Sequence, residues 1–316
     1  MKLVDNHTRN RLGCLLLFLL VAIGIIGCEH GQSSENHNTP ADNDAFKDYW
    51  YAGLAELNHY SLEQARYGEI HKGDAVLIFV TEDFLPDQQV KYEHGPKPGN
   101  TESVLKLNFV RKFFTGIYPY SMMSSIFTPI SSANPTLKVS TSSQEWCGHT
   151  YLQLNYKEQR YQGFLHSYFQ DEVYREYSLD AVVLEDALWN KIRINPGRLP
   201  EGEIPLIPAT QFLRFRHLPA KVHPAMAVLK TAVRKDISSD SLFAYHVRYS
   251  DIQRELTIYF TREFPYEILG WEETYPSGFR NPKLLTTRAV RTHVMRLDYW
   301  RRHSVADSTY RKEFGF

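Results

Sequence analysis

Along much of the chain, apolar and polar residues alternate with a period of two. Leu105-Lys106-Leu107-Asn108-Phe109, Leu137-Lys138-Val139-Ser140, Tyr151-Leu152-Gln153-Leu154-Asn155-Tyr156 and Glu255-Leu256-Thr257-Ile258-Tyr259-Phe260 all show it. Strands with one buried face produce this pattern, because successive side chains point to opposite sides of a sheet. Asp74-Ala75-Val76-Leu77-Ile78-Phe79-Val80-Thr81-Glu82 is instead a continuous apolar, β-branched run ended by turn-forming residues, which fits a central strand. Helical spacing, with apolar residues three and four apart, is confined to Leu184 to Ile194 and Ala225 to Lys235. Short polar connectors without a regular alternating helix argue against βαβ units. The expected fold is mainly β: an antiparallel sheet, shaped as a curved half-barrel or a sandwich, with a few short helices.

The amino-terminal pattern is different. Lys2, Arg9 and Arg11 precede the apolar run Leu12 to Gly27, in the order of an export signal. That run is short of the roughly 20 residues a membrane span needs. It closes on Ile25-Ile26-Gly27-Cys28, which resembles the lipobox of bacterial lipoproteins and implies cleavage before Cys28 and acylation of its thiol. Each buried CH₂ of an acyl chain contributes about 0.8 kcal/mol, so a multiply acylated cysteine anchors durably. Glu29 is not the aspartate that favours inner-membrane retention, which directs the expectation to the outer membrane. Residues 28–44 are polar and too poor in apolar side chains to fold alone, so they read as a lipidated tether. Phe46, Tyr49, Trp50 and Tyr51 then open a core-forming domain, expected over 45–316. Within it the Pro/Gly-rich stretch 195–205 is either a linker between two halves or a long surface crossing.

Composition adds limits. The 316 residues carry 36 basic and 36 acidic side chains, so no global field marks a nucleic-acid binder. Aromatics make up 14% of the chain, which favours strands. Of the 3 cysteines, Cys14 lies in the leader and Cys28 in the lipobox, leaving Cys147 without a disulfide partner. A lone exported thiol is expected to be buried or otherwise protected from oxidation.

The segments WYAGLAELNHYSLEQARYGEIHKGDAVLIFVTEDFLP from Trp50, GIYPYSMMSSIFTPI from Gly116, QEWCGHTYLQLN from Gln144 and LWNKIRINPGRLP from Leu188 resemble an uncharacterised family of bacterial lipoproteins. Its members are commonly labelled "septum formation inhibitor Maf". That name belongs to cytosolic nucleotide pyrophosphatases, which open with a Ser-x-Ser-Pro-Arg-Arg motif that handles phosphates. This chain has no such motif, and its one Arg-Arg pair, Arg301-Arg302, lies near the opposite end. The resemblance implies an envelope lipoprotein; pyrophosphatase activity is not expected.

Candidate chemistry is sparse. Cys147 and His149, two apart and on one face if they share a strand, would share a metal, form a nucleophile and base, or serve as a structural pair. No further metal ligands sit at a recognisable spacing, so no metal and no cofactor is expected. Glu69 and His71 are a second acid/base pair or a solvated face. Glu272 and Glu273 are adjacent and should face oppositely, and Ser124 and Ser125 lie outside any nucleophile elbow. Arg288, Arg291, Arg296 and Trp300 mix cations with an aromatic near the end of the sequence, a pattern that suits anionic glycans or lipid headgroups, or else a solvated face with arginine stems over aromatics. The expected function is a membrane-anchored envelope protein that binds a lipid, glycan or protein. Alternatives are an extracytoplasmic hydrolase with a cleft near Cys147 and His149, and a cell-envelope or division scaffold.

Overall fold

The computed structural model describes residues 43–131 and 134–316. The signal, Cys28 and nearly all of the tether lie outside the described residues. None of the described helices is long and apolar enough to cross a membrane.

Sixteen strands among the described residues form one sheet. They are β1 (Ala55–Arg66), β2 (Glu69–Leu85), β3 (Val90–Lys91), β4 (Glu102–Thr115), β5 (Tyr118–Pro129), β6 (Lys138–Glu145), β7 (Gly148–Lys157), β8 (Arg160–Ser167), β9 (Arg175–Asp180), β10 (Val183–Leu184), β11 (Gly202–Ile207), β12 (His223–Val233), β13 (Ser241–Tyr249), β14 (Glu255–Phe260), β15 (Ile268–Ser277) and β16 (Lys283–Leu297). Their spatial order is β10-β11-β12-β13-β14-β15-β16-β1-β2-β4-β5-β6-β7-β8-β9, with the short β3 on β2. Only β10 and β11 pair in parallel. The alternating segments all fall on strands, and Asp74 to Glu82 lies in β2, near the middle of the sheet with β1 and β4 as neighbours.

The edge strands β9 and β10 are three residues apart in the chain, so the two edges approach within ~11 Å at that link. The sheet therefore curls round on itself without closing by hydrogen bonds, an open structure rather than a barrel. The breaker stretch does not interrupt it. Pro196–Arg198 is a single tight turn capped by Asn195, and β11 begins four residues later.

Four short helices among the described residues accompany the sheet: α1 (Asp44–Trp50), α2 (Leu188–Ile194), α3 (Thr210–Arg216) and α4 (Thr309–Glu313). The first helical prediction holds, with α2 preceded by a tight turn at Glu185–Ala187. The second fails: Ala225 to Lys235 runs mainly in β12. There His223, Ala225 and Ala227 point inward while Pro224, Met226 and Val228 point outward, and pairing to β11 and β13 overrides the apolar spacing.

Helices α2 and α3 fill the hollow of the curled sheet. Seven residues are too few to hold a helix in water, so α2 depends on what it touches. Trp189 packs edge-on against Phe109 at 5.1 Å and Trp271 at 5.2 Å, and Asn190 donates to the Leu105 carbonyl at 2.9 Å. Arg193 donates twice to Glu56 on β1, with Nη2 2.6 Å from Oε2. Before α2, Glu185 receives the Arg254 guanidinium and the Tyr249 hydroxyl. Arg254 also reaches Glu273, which Arg111 holds from β4. Burial alone would raise the Glu56 carboxyl, but Arg193, Tyr49 and Asn58 outweigh it and hold the group at about 2. Asp186 accepts from Thr210 at the start of α3, yet burial wins there and pushes its carboxyl up to about 7.

Because neighbouring strands are antiparallel, their turns alternate between two ends of the sheet. The turns at 67–68, 116–117, 146–147, 168–174 and 278–282 share one end, called upper here. Helix α1 lies at the lower end, where the Trp50 carbonyl accepts from Thr81 and Phe46 packs on Phe264.

Candidate functional site

Strand β1 is buried on both faces from Ala55 to Tyr60. The interior covers one face; the chain after β16 covers the other. That segment turns at Tyr299–Arg301, turns again at Val305–Ser308 under a Ser304–Asp307 capping box, and continues through α4 to Phe314 and Phe316. Phe314 packs on a second apolar cluster formed by Ala55, Leu57, Val76 and Val80.

The segment does not cover the outer face completely. Between it and strands β16, β1, β2 and β4 runs a groove of about 520 Å³. Leu57, Val76, Ile78, Val110, Met295 and Leu297 form its floor, and Tyr299, Tyr310, Phe314 and Phe316 its wall. Alternation explains the floor: these are the outward residues of four adjacent strands, all apolar where solvent would ordinarily select polar ones. At the rim stand Lys112, Arg302, Arg311, Asp74 and Asp307. Arg302 is paired with Asp298 at 2.9 Å and Asp307 is taken by Ser304. Lys112 and Arg311 have no ion-pair partner among the described residues, so the rim carries two free cations. A hollow of about 610 Å³ beside β11 and β12 is lined by Ile204, Pro205, Val222, Ala225 and Met226 with Glu203, His223 and Arg248, and no Phe, Tyr or Trp borders it.

One end of the groove is polar. His59, 5% exposed, stands between Asp74 and Thr292: Nε2 lies 3.1 Å from Asp74 Oδ1, and Nδ1 lies 2.6 Å from Thr292 Oγ1. Burial lowers the His59 pKa, and the Asp74 carboxylate offsets part of that. The Thr292 hydroxyl donates to the His59 carbonyl at 3.2 Å. A register shift between His59 and Tyr60 leaves Thr292 as the extra residue of a β-bulge, which turns its side chain towards the histidine.

The candidates read from the sequence lie elsewhere. Cys147 is exposed, contrary to the expected burial. With Trp146 it forms the two-residue turn between β6 and β7, so it is not a strand residue and does not share a strand face with His149. Its backbone N–H donates to Glu145 Oε2 at 2.7 Å, and the same carboxylate raises the thiol pKa. His149 is exposed and lines a shallow polar hollow with His166 and Tyr174. Gly148 admits the Tyr168 ring, which would lie 2.6 Å from an added Cβ. Glu69 is exposed, and His71 Nε2 contacts the Arg66 carbonyl at 3.1 Å instead of the glutamate. Glu272 and Glu273 do face oppositely: Glu272 accepts from Arg234 and Tyr259 outside, whereas Glu273 is buried against Arg111 and Trp271. Ser124 is buried against Thr141, and Ser125 donates to Asn108.

The arginines near the end of the sequence are already engaged. Arg288 pairs with Asp236, and Arg291 with Glu267 at 3.1 Å. Arg296 donates to the Tyr49 carbonyl and lies 4.1 Å from the centre of its ring. Trp300 is 45% exposed and packs edge-on against Tyr299. Among the described residues no three His, Cys, Asp or Glu side chains are grouped to hold a metal ion.

No protein-family model, curated protein or solved structure matches the chain. The site rests on its own geometry. Sequence reading missed the groove because its parts are more than 200 residues apart; the visible trace was the outward apolar set Leu57, Val76 and Ile78 and the aromatic residues after Leu297.

Proposed function

We propose that this is a lipid-anchored envelope protein, tethered through Cys28 to the outer membrane, whose external groove binds the acyl chain of an anionic amphiphile. The observation that carries the reading is the groove itself: an apolar floor from four strands, an aromatic wall and two unpaired cations at the rim. Ligand sites are commonly apolar clefts of this size with a few fixed polar groups. The filled interior argues against a ligand inside the curled sheet.

Titration with a fluorescent fatty acid tests the proposal. Ile78→Glu places a charge in the floor and should abolish binding, while Lys112→Glu combined with Arg311→Glu should weaken the acid more than the corresponding alcohol. Undiminished binding in Ile78→Glu would overturn the groove assignment. The anchor has a separate test: Cys28→Ala should abolish incorporation of labelled fatty acid and leave the protein unprocessed.

A second reading is ester hydrolysis at the polar end, which the Thr292–His59–Asp74 arrangement favours over Cys147 and His149. It requires ester turnover by the wild type that is lost in both Thr292→Val and His59→Gln.

A further inference from the structure

The buried arginines divide sharply. Arg111, Arg193, Arg214 and Arg254 each meet a carboxylate. Arg66, only 7% exposed, has none among the described residues. Its guanidinium donates to the Phe215 carbonyl, to the Tyr120 hydroxyl at 3.0 Å and to the Tyr67 hydroxyl at 3.3 Å. Nearby, the half-buried Arg216 donates only to the Gly278 carbonyl at 3.4 Å. Burial lowers the Arg216 pKa, and the Arg66 charge adds to that. Two cations thus repel one another at the upper end of the sheet, and neither meets a carboxylate among the described residues, where Glu172 is taken by Arg214 and His217 and Glu145 by the Cys147 N–H.

Around them runs a collar of aromatic side chains from separate turns. Trp146 stacks on Tyr118 at 6.4 Å, and the Tyr118 hydroxyl donates to Tyr67 at 2.9 Å. Tyr67 meets Phe279 at 5.7 Å, Phe279 meets His217 at 6.2 Å, and His217 meets Phe169 at 4.8 Å. Phe169 adjoins Tyr168, which lies over Gly148 beside Trp146 and closes the circuit. The tips stand out of the fold: Trp146 is 69% exposed, Tyr168 74%, Phe279 64% and, on the adjoining turn, Ile117 79%.

From these observations we infer that the upper end docks onto an anionic phospholipid bilayer, with the aromatic tips inserted at the interface and lipid phosphate received by Arg66 and Arg216. Trp, Tyr and Phe suit that depth because their rings are apolar while indole and phenol retain a polar atom for the headgroup layer. Projecting tips on independent turns fit a fluid surface better than a protein of fixed relief. Charge complementarity selects an anionic one, since an unpaired buried cation attracts phosphate most strongly where water is excluded. This surface is separate from the groove and stands whether or not the groove is occupied.

The test places the full chain on vesicles whose lipid tails are brominated, so that quenching reports contact at Trp146 itself rather than attachment through the leader. Phosphatidylcholine vesicles are compared with vesicles that also contain phosphatidylglycerol. The expected result is strong quenching only with phosphatidylglycerol, absent in Trp146→Phe. Quenching should fall severalfold in Arg216→Gln and in Tyr168→Ser, two variants at accessible positions whose melting temperatures confirm folding. Ile78→Glu should leave quenching unchanged, which separates failure of the groove from failure of the collar. No quenching at Trp146, equal quenching on both vesicles, or saturable binding of inorganic phosphate without any bilayer contact overturns the proposal.

Discussion

The two faces of the sheet solve opposite problems. On the concave side, α2 and α3 occupy the space a ligand would need, and Arg193 of α2 and Arg214 of α3 meet the carboxylates of Glu56 and Glu172. On the convex side, the chain after β16 covers only part of an apolar surface and leaves a groove with unpaired cations at its rim. Curvature alone therefore does not locate a binding site. What matters is whether the chain supplies its own occupant, because a filled interior leaves a ligand no space.

The largest test of this contrast is to break an interior pair. Arg193→Leu leaves Glu56 buried without its cation and should cost about 3–5 kcal/mol of stability, the usual penalty for an orphaned buried charge. Arg302→Ala, which removes an exposed pair beside the groove, should cost far less because solvent screens it. Denaturant titration of both variants measures the difference, and equal losses would erase the contrast between the faces.

Next in size is the effect of pH. Glu56 is held at about 2 in the folded chain against an ordinary 4.5, so its contribution is present above 4.5 and is lost as pH falls through about 2. Asp186 behaves in the opposite sense. Its folded value of about 7 exceeds the ordinary 3.8, so its contribution is complete below 3.8 and is lost as pH rises through about 7. Melting curves should show the wild type losing stability between those limits relative to Asp186→Asn; parallel curves would contradict the burial of this carboxyl.

Smaller again is the effect of the groove wall. Trp189→Ala in the interior should cost about 3–5 kcal/mol. Phe314→Ala should cost less, because its ring borders an open groove, and should shift fatty-acid affinity, which Trp189→Ala would change only by unfolding the protein.

The smallest effect belongs to Cys147. Its replacement by serine should stay within about 0.5 kcal/mol, as for an exposed turn residue. The native thiol should react with iodoacetamide without denaturant, and Glu145→Gln should accelerate the reaction by removing the carboxylate that raises the thiol pKa. A thiol that reacts only after unfolding would contradict its place in the turn.

These contrasts separate what was legible in the chain from what was not. Period-two alternation at Leu105–Phe109, Tyr151–Tyr156 and Glu255–Phe260 records one buried and one less buried face, and it located strands and fold class because that information is local. Helical spacing misled at 225–235, where Ala225, Val228 and Ala232 recur three and four apart, yet pairing with β11 and β13 selects a strand that turns Ala225 inward and Val228 outward. Alternation misplaced Cys147, since Trp146-Cys147-Gly148 carries no strong turn signature.

The sequence by itself determined a β-rich chain with an apolar run near its start that ends in a lipobox-like cysteine, because alternation and contiguous hydrophobicity depend on neighbours alone. Tertiary structure decided the rest. Which carboxylate faces which buried arginine follows from contacts between residues 19 to 162 positions apart, and where Thr292 meets His59 and that Leu57 and Phe314 share a groove follow from contacts more than 200 positions apart. Those pairings depend on how a long sheet curls and which face its last segment covers, and no local pattern encodes either.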